Sequence, residues 1–119
     1  MKIHNVFDIR GTEFPAGRLT RVIVGPGAPL EAENFVMGYV TIYPGGSIPL
    51  HSHGQEEVYI IMAGDGIMQV NGLEEKVKKG SYIYIDPNSS HNCSCSLQIH
   101  PQAQANSSKK QCLSTPLFP

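Results

Sequence analysis

Short runs of alternating apolar and polar residues fill the sequence between positions 18 and 99, and this alternation constrains the fold more than any other feature. Gly, Pro and Asn interrupt the runs at intervals of about ten residues, a pattern typical of an all-β sandwich or barrel. No long segment has the periodicity of a helix. The pattern predicts seven strands, at residues 18–24, 35–43, 57–62, 66–71, 74–78, 82–85 and 92–99.

The predicted reversals between these strands contain residues that accept or preset unusual backbone angles. Asn71-Gly72 is the firmest example, because both residues tolerate the positive φ that a two-residue hairpin requires. Asp86-Pro87-Asn88 marks a second reversal, in which Pro presets φ and Asn tolerates the left-handed conformation.

The chain length and the change of composition along the chain predict one domain. A chain of 119 residues has room for one hydrophobic core. We expect an N-terminal arm at 1–17, a β-barrel at 18–100, and a polar C-terminal tail from 101 to 119, where Gln, Asn, Ser and Lys dominate.

Charge and hydropathy exclude several classes of partner. The sequence contains nine Lys and Arg and ten Asp and Glu, which gives a formal charge of −1. With this balance, no nucleic-acid surface is expected. No apolar run approaches the length of a membrane span, and the first residues lack the apolar core of a signal peptide, so we expect a cytoplasmic protein without a membrane partner. Cys93, Cys95 and Cys112 are expected to be reduced, partly buried thiols, with a cysteine-based metal or redox site as the alternative.

Four side chains form the candidate metal site. His51, His53 and Glu57 share one face if the strand alternation continues through the short loop before Glu57. Neutral imidazoles bind first-row transition ions, and a carboxylate favours a divalent ion. His91, which follows the second reversal, is the best candidate for a fourth ligand. Glu56 is a rival to Glu57, but a shift of one residue turns it to the opposite face.

The glycines around the first three ligands give this segment the spacing of a known motif. Gly45 precedes His51 by six residues, Glu57 follows His53 by four, and Gly64 follows Glu57 by seven. This arrangement resembles the first motif of the cupin superfamily.

The second cupin motif begins with Gly, passes through a strand and a Pro-x-Gly turn, and ends in His. Gly80, the strand predicted at 82–85, Asn88 and His91 occupy these places. The sequence departs from the family at Asp86, where Pro is common, at Asn88, where the turn glycine is expected, and at Cys95, where the family has Asn. Because Asn tolerates positive φ, we expect the turn to be retained.

The resemblance implies a small single-domain cupin, a double-stranded β-helix or jelly-roll barrel. It also implies one divalent ion (Mn, Fe, Ni, Zn or Cu) held by three His and one Glu, here His51, His53, Glu57 and His91. Such a site favours a metal-dependent enzyme of dioxygenase, isomerase or decarboxylase type, acting on a small organic acid, sugar or diol. The alternative is a non-catalytic module that binds a sugar or another small molecule.

Side chains near the predicted site were assigned by strand alternation. Tyr59 should point inward beside Glu57, which makes its hydroxyl a weak candidate for a catalytic group. Arg18 and Arg21 lie on opposite faces of one strand, and either could offer a cation to an anionic substrate, although solvated surface charges are the expected role. Exposed strand edges favour a homodimer.

Overall fold

The computed structural model describes residues 1–96 and the backbone of residues 110–117. Within this part of the chain, a 3₁₀ turn at Val6–Asp8 precedes ten strands. The strands are β1 (Thr12–Phe14), β2 (Arg18–Val24), β3 (Met37–Ile42), β4 (Ser47–His51), β5 (Glu56–Ala63), β6 (Asp65–Val70), β7 (Leu73–Lys78), β8 (Tyr82–Ile85), β9 (His91–Cys95) and β10 (Lys110–Leu117).

Two antiparallel sheets enclose the core. The six-stranded sheet has the order β1-β2-β3-β10-β5-β8, and the four-stranded sheet has the order β4-β9-β6-β7. Alternate side chains from both sheets form one buried apolar cluster, to which Val40, Tyr59 and Ile85 contribute from the first sheet and Ile48 and Met68 from the second. The all-β prediction is confirmed, and the core lies between the two sheets.

The seven predicted strands are present, and two of them, β2 and β8, have the predicted bounds. The strand expected at 92–99 begins one residue earlier and is observed as His91–Cys95, while residues 97–99 lie outside the described part of the chain. The other four differ from prediction by one or two residues at their ends. Such shifts are normal because terminal residues of a strand are set by pairing partners.

Three strands were not predicted. Strand β1 lies within the predicted arm and pairs with β2, and β10 lies within the predicted tail and pairs with both β3 and β5. Strand β4 contains Pro49, a residue that normally argues against a strand because it donates no backbone hydrogen bond. The division into arm, barrel and tail stays a prediction, but two strands of the six-stranded sheet come from outside the predicted barrel.

A one-residue irregularity in strand β4 determines which of its side chains face the core. Ile48 pairs with Cys93, but the register then shifts so that His51 pairs with His91. Without the shift, the partner of His91 would be Leu50. Leu50 is instead 60% exposed and Ile48 is buried, as expected when a bulge reverses the alternation of side chains. The bulge at Pro49 and Leu50 therefore turns His51 inward.

The two asparagine turns have the predicted conformation. Asn71 has φ 50° and Gly72 has φ 83°, and they join β6 to β7 with Val70 opposite Leu73. Asn88 has φ 65°, so Asn does stand in for glycine in the turn before β9. Its backbone N–H donates to the carbonyl of His53 at 2.7 Å, which ties this turn to the segment after β4.

No helix in the described ranges is long and apolar enough to cross a membrane. The predicted homodimer stays a prediction. Among the described strands, β8 forms one edge of the six-stranded sheet, and its Tyr82 and Tyr84 are exposed.

The turn at Asn88 yields a stability prediction. Asn88→Val should lower the free energy of unfolding by about 1 to 2 kcal/mol, because a β-branched residue is strained at positive φ, whereas Asn88→Gly should change it little. Urea denaturation measures both values. Asn92→Val in β9 is the control, since that position has ordinary strand angles. Equal losses in Asn88→Val and Asn92→Val would contradict the assignment.

Candidate metal centre

The pairing of β4 with β9 brings two histidines into contact. His51 ends β4 and His91 begins β9, and the two residues are cross-strand partners. Their ring centroids lie 4.1 Å apart. His91 is fully buried, whereas His51 is partly exposed. Two residues forty positions apart thus meet because of strand register.

His53 and Glu57 reach the same place from the loop after β4 and from the start of β5. The His53 ring centroid lies 5.2 Å from that of His91 and 5.7 Å from that of His51. Glu57 is only 5% exposed; its Oε2 lies 2.8 Å from His53 Nε2, and its Oε1 lies 3.9 Å from His91 Nε2. His53 lies beyond the end of its strand, so it is positioned by loop contacts and not by the continuous strand alternation that we expected.

One kind of hydrogen bond orients all three imidazoles. Each Nδ1 lies against a backbone carbonyl two residues away: His51 on Pro49 at 2.8 Å, His53 on Gln55 at 2.9 Å and His91 on Ser89 at 2.8 Å. A carbonyl oxygen can only accept, so each Nδ1 must carry a proton. In the neutral tautomer Nε2 then presents its lone pair, and metal-binding histidines are commonly held in this way.

The surroundings of the Nε2 atoms fit a cation. His91 Nε2 is buried and has no hydrogen-bond partner among the described residues. His53 Nε2 and Glu57 Oε2 lie 2.8 Å apart, and two acceptors at that distance need a proton or a cation between them. One ligand nitrogen from each of the three imidazoles lies within 4.8 Å of the other two. Ligands about 2.1 Å from a common ion lie about 3 to 4 Å from one another, so the spacing suits one ion.

Burial also keeps His91 in the state that can bind a metal. Removal of the ring from water lowers the pKa of His91 below its usual value, and the neighbouring His51 and His53 lower it further. The Ser89 carbonyl and the Glu57 carboxylate oppose this shift, but the net direction is downward. The ring is therefore neutral near pH 7.

A cavity of about 320 Å³ borders the cluster. His51, His53 and Glu57 line it together with Tyr59, which is 2% exposed and inward-facing, as predicted. The Tyr59 ring stands edge-on to His91, with 5.9 Å between the ring centroids. Any small molecule in this cavity would lie beside the imidazoles.

Sequence reasoning missed part of the cavity wall. Arg18, for which a solvated surface charge was the expected role and a cation for an anionic substrate the alternative, lines the cavity, and so does Phe14 from the predicted arm. The available signal was the run Pro15-Ala16-Gly17, which forms the turn of the β1–β2 hairpin and places Phe14 opposite Arg18. Arg21 instead donates from Nε to the carbonyl of Ile9 at 2.9 Å.

The remaining candidate side chains lie elsewhere. Glu56 is exposed, as the alternation predicts for the rival of Glu57. His4 is exposed and joins no cluster of three metal-binding groups in the described ranges, and His100 lies outside those ranges. Cys93 and Cys95 are buried in the core, and Cys112 lies on β10, where only the backbone is described.

A larger cleft lies elsewhere on the molecule. It has a volume of about 800 Å³, is lined in part by Lys76, Lys78 and Ser96, and shares no residue with the cavity beside the imidazoles. The only cluster of three or more metal-binding groups found in the described ranges is that of the three histidines. We therefore take the smaller cavity as the candidate site.

Comparison with known sequences identifies the family of the domain. Residues 38–96, about half of the chain, match the cupin domain family. Over 50 residues the chain is 38% identical to an oxalate-binding protein from Thermotoga maritima, and this alignment covers 41% of each protein. The chain thus spans about two fifths of the length of that curated relative.

Solved structures match nearly the whole chain. An RmlC-like cupin from Shewanella frigidimarina superposes with a TM-score of 0.76 at 11% identity, covering 100% of this chain and 92% of that one. A predicted oxalate decarboxylase from Thermotoga maritima superposes with a TM-score of 0.76 at 17% identity, covering 99% and 100%. At these identities the structural likeness bears on the fold alone. The matched domain shows that this chain belongs to the cupin superfamily, and the structural likeness shows that it has the double-stranded β-helix fold.

Proposed function

We propose that His51, His53, Glu57 and His91 hold one divalent transition-metal ion, and that this protein is a metal-dependent enzyme acting on a small organic acid, sugar or diol. The observation that carries the proposal is the common orientation of the imidazoles. Three backbone carbonyls fix three Nδ1–H groups, so three Nε2 atoms are available within one small volume. Dioxygenase, isomerase and decarboxylase reactions all fit such a centre.

Glu57 is the natural fourth ligand. Its carboxylate is almost fully buried, and burial of a carboxylate is costly unless a positive charge or several donors compensate it. Its two oxygens face His53 and His91 at 2.8 Å and 3.9 Å. A cation between these groups would satisfy the buried carboxylate and the buried Nε2 of His91 together.

Four protein ligands leave one or two positions open on an ion that accepts five or six. When bound, a divalent ion at this place supplies Lewis acidity toward an oxygen-bearing ligand in the cavity. The chain itself contributes the cavity walls and Tyr59. The Tyr59 side chain is buried and inward-facing on β5, two residues after Glu57. Its hydroxyl could hold a proton or deliver one to a bound substrate.

Two of the three named similar proteins are described in terms of oxalate, one as a predicted oxalate decarboxylase and one as an oxalate-binding protein. The first description names a reaction, and the second names binding alone. The alternative to an enzyme is therefore a module that binds a small molecule through the same metal. A buried tyrosine beside the candidate ligands favours the enzyme.

Metal content tests the ligand assignment. His51→Ala and His91→Ala should each remove most of the bound metal, because each deletes one of four ligands, and Glu57→Gln should weaken binding by removing the charged one. His4→Ala is the matched control, since His4 is exposed and outside the cluster. Elemental analysis of the purified proteins gives the metal per chain. Equal content in the His51, His91 and His4 variants would refute the site.

Turnover separates the enzyme from the binding module. The metal-loaded protein should consume at least one compound from a panel that contains small organic acids such as oxalate, uronates, diketones and catechols. Oxygen uptake and product analysis measure this consumption. Tyr59→Phe should lower kcat about a hundredfold or more if the hydroxyl transfers a proton, and should keep the metal. Tyr84→Phe on exposed β8 is the control. Full metal content with no turnover of any compound would favour the binding module.

A further inference from the structure

Arg18 is a cation in the cavity wall whose guanidinium the described structure leaves incompletely satisfied. Arg18 begins β2 and lines the same cavity as His51, His53 and Glu57. Its Nε is buried and has no hydrogen-bond partner among the described residues. A buried donor without an acceptor costs about 1 to 3 kcal/mol, so such a group is usually completed by a ligand or by water.

The position of Arg18 is fixed by its hairpin. Phe14 is its cross-strand partner on β1, and the guanidinium carbon lies 4.2 Å from the centroid of the Phe14 ring. An aromatic face beneath a guanidinium stabilises the cation and restricts its rotamers, while the edge of the fork stays available for an acceptor. Arg18 is thus held in place before any ligand arrives.

The charges around the cavity select for an anion. Glu57 is the only acidic side chain among the described residues that line it. With a divalent ion, three neutral imidazoles and the Glu57 carboxylate, the metal centre carries a formal charge of +1. Arg18 adds a second positive charge on the same cavity. A ligand with two negative charges would neutralise both, whereas a neutral sugar or diol could accept a hydrogen bond through a hydroxyl but would leave both positive charges uncompensated.

We propose that Arg18 is a specificity-determining residue, and that the substrate or ligand is a small dicarboxylate with one carboxylate directed to the metal and the other paired with Arg18. This inference rests on the metal site proposed above and narrows its range of organic acids, sugars and diols. The cavity volume of about 320 Å³ limits the ligand to a compact molecule. A guanidinium fork matches a carboxylate in shape and charge.

Binding of a diacid and of its monoester tests the role of Arg18. The protein is loaded with Co²⁺, whose visible spectrum reports ligands at the metal, and titrated with malonate and with monomethyl malonate, which lacks one charge. The wild-type chain should bind malonate more tightly. Arg18→Gln should weaken malonate binding about ten- to a hundredfold, the range for a hydrogen bond between charged groups, and should leave binding of the monoester unchanged.

Two further variants separate charge from packing. Arg18→Lys keeps the charge but loses the fork, so it should retain part of the preference for malonate. Arg10→Gln removes an exposed arginine outside the cavity and should change neither affinity. Urea denaturation of each variant shows whether the fold is retained. If Arg18 only stabilises the hairpin, Arg18→Gln lowers the free energy of unfolding while the malonate preference stays intact, and the proposal is wrong.

The outcomes distinguish this inference from the metal site. Full Co²⁺ content in wild type and Arg18→Gln, with equal affinity for malonate and its monoester in both, overturns the role of Arg18 and leaves the metal site standing. Failure of the wild-type chain to bind Co²⁺ overturns both. Full Co²⁺ content together with a malonate preference that Arg18→Gln abolishes supports both.

Discussion

The pairing of His51 with His91 is the contact on which the candidate site depends. It exists because the bulge at Pro49 and Leu50 shifts the register of β4 against β9 by one residue. Without that shift, alternation would direct Leu50 into the barrel and His51 toward solvent. One extra residue in a short edge strand therefore exchanges an apolar side chain for an imidazole at the position opposite His91. Leu50 is 60% exposed as a result, whereas Ile48 remains buried in the core.

Burying the polar atoms of the three imidazoles costs free energy, and hydrogen bonds to backbone carbonyls reduce this cost. Each of the three carbonyls that hold an Nδ1–H belongs to a residue only two positions from its histidine, so the orientation is local and survives small movements between the strands. The Nε2 atoms of His53 and His91 face the Glu57 carboxylate, and the buried Nε2 of His91 has no hydrogen-bond partner in the described residues. An orphaned buried polar atom costs about 1 to 3 kcal/mol. The fold accepts that cost where a bound ion would recover it, a pattern common to functional sites.

The sequence predicted the features that depend on neighbouring residues and missed those that depend on pairing with residues distant in the chain. Alternation within β2 and β8 and the asparagine turns depend on neighbouring residues, and they were predicted. Strand β4 was missed because its Pro49 contradicts strand propensity while its register is set by β9. Strand β10 was missed because it is polar in sequence and gains its place between β3 and β5 only through pairing with distant residues.

The same distinction applies to the site. Spacing along the chain identified His51, His53, Glu57 and His91, since the first three are close in sequence and the fourth follows a turn whose conformation Asn88 can adopt. Arg18 and Phe14 could not be placed by spacing, because the cavity is lined by residues of several strands that are far apart in sequence. Alternation assigned Arg18 to one of two faces and could not say which face was the cavity.

The two sheets also divide the chemistry between them. His51 and His91 come from paired strands of the four-stranded sheet, whereas Glu57 and Arg18, the charges of opposite sign, come from β5 and β2 of the six-stranded sheet. Core packing sets the separation of two facing sheets at about 10 Å. Two apolar core residues, Ile48 from the four-stranded sheet and Val40 from the six-stranded sheet, also line the cavity. Their packing therefore positions the neutral imidazoles relative to the charged side chains of Glu57 and Arg18. In this fold the geometry of the candidate site is a property of the hydrophobic core as much as of the residues that would touch an ion.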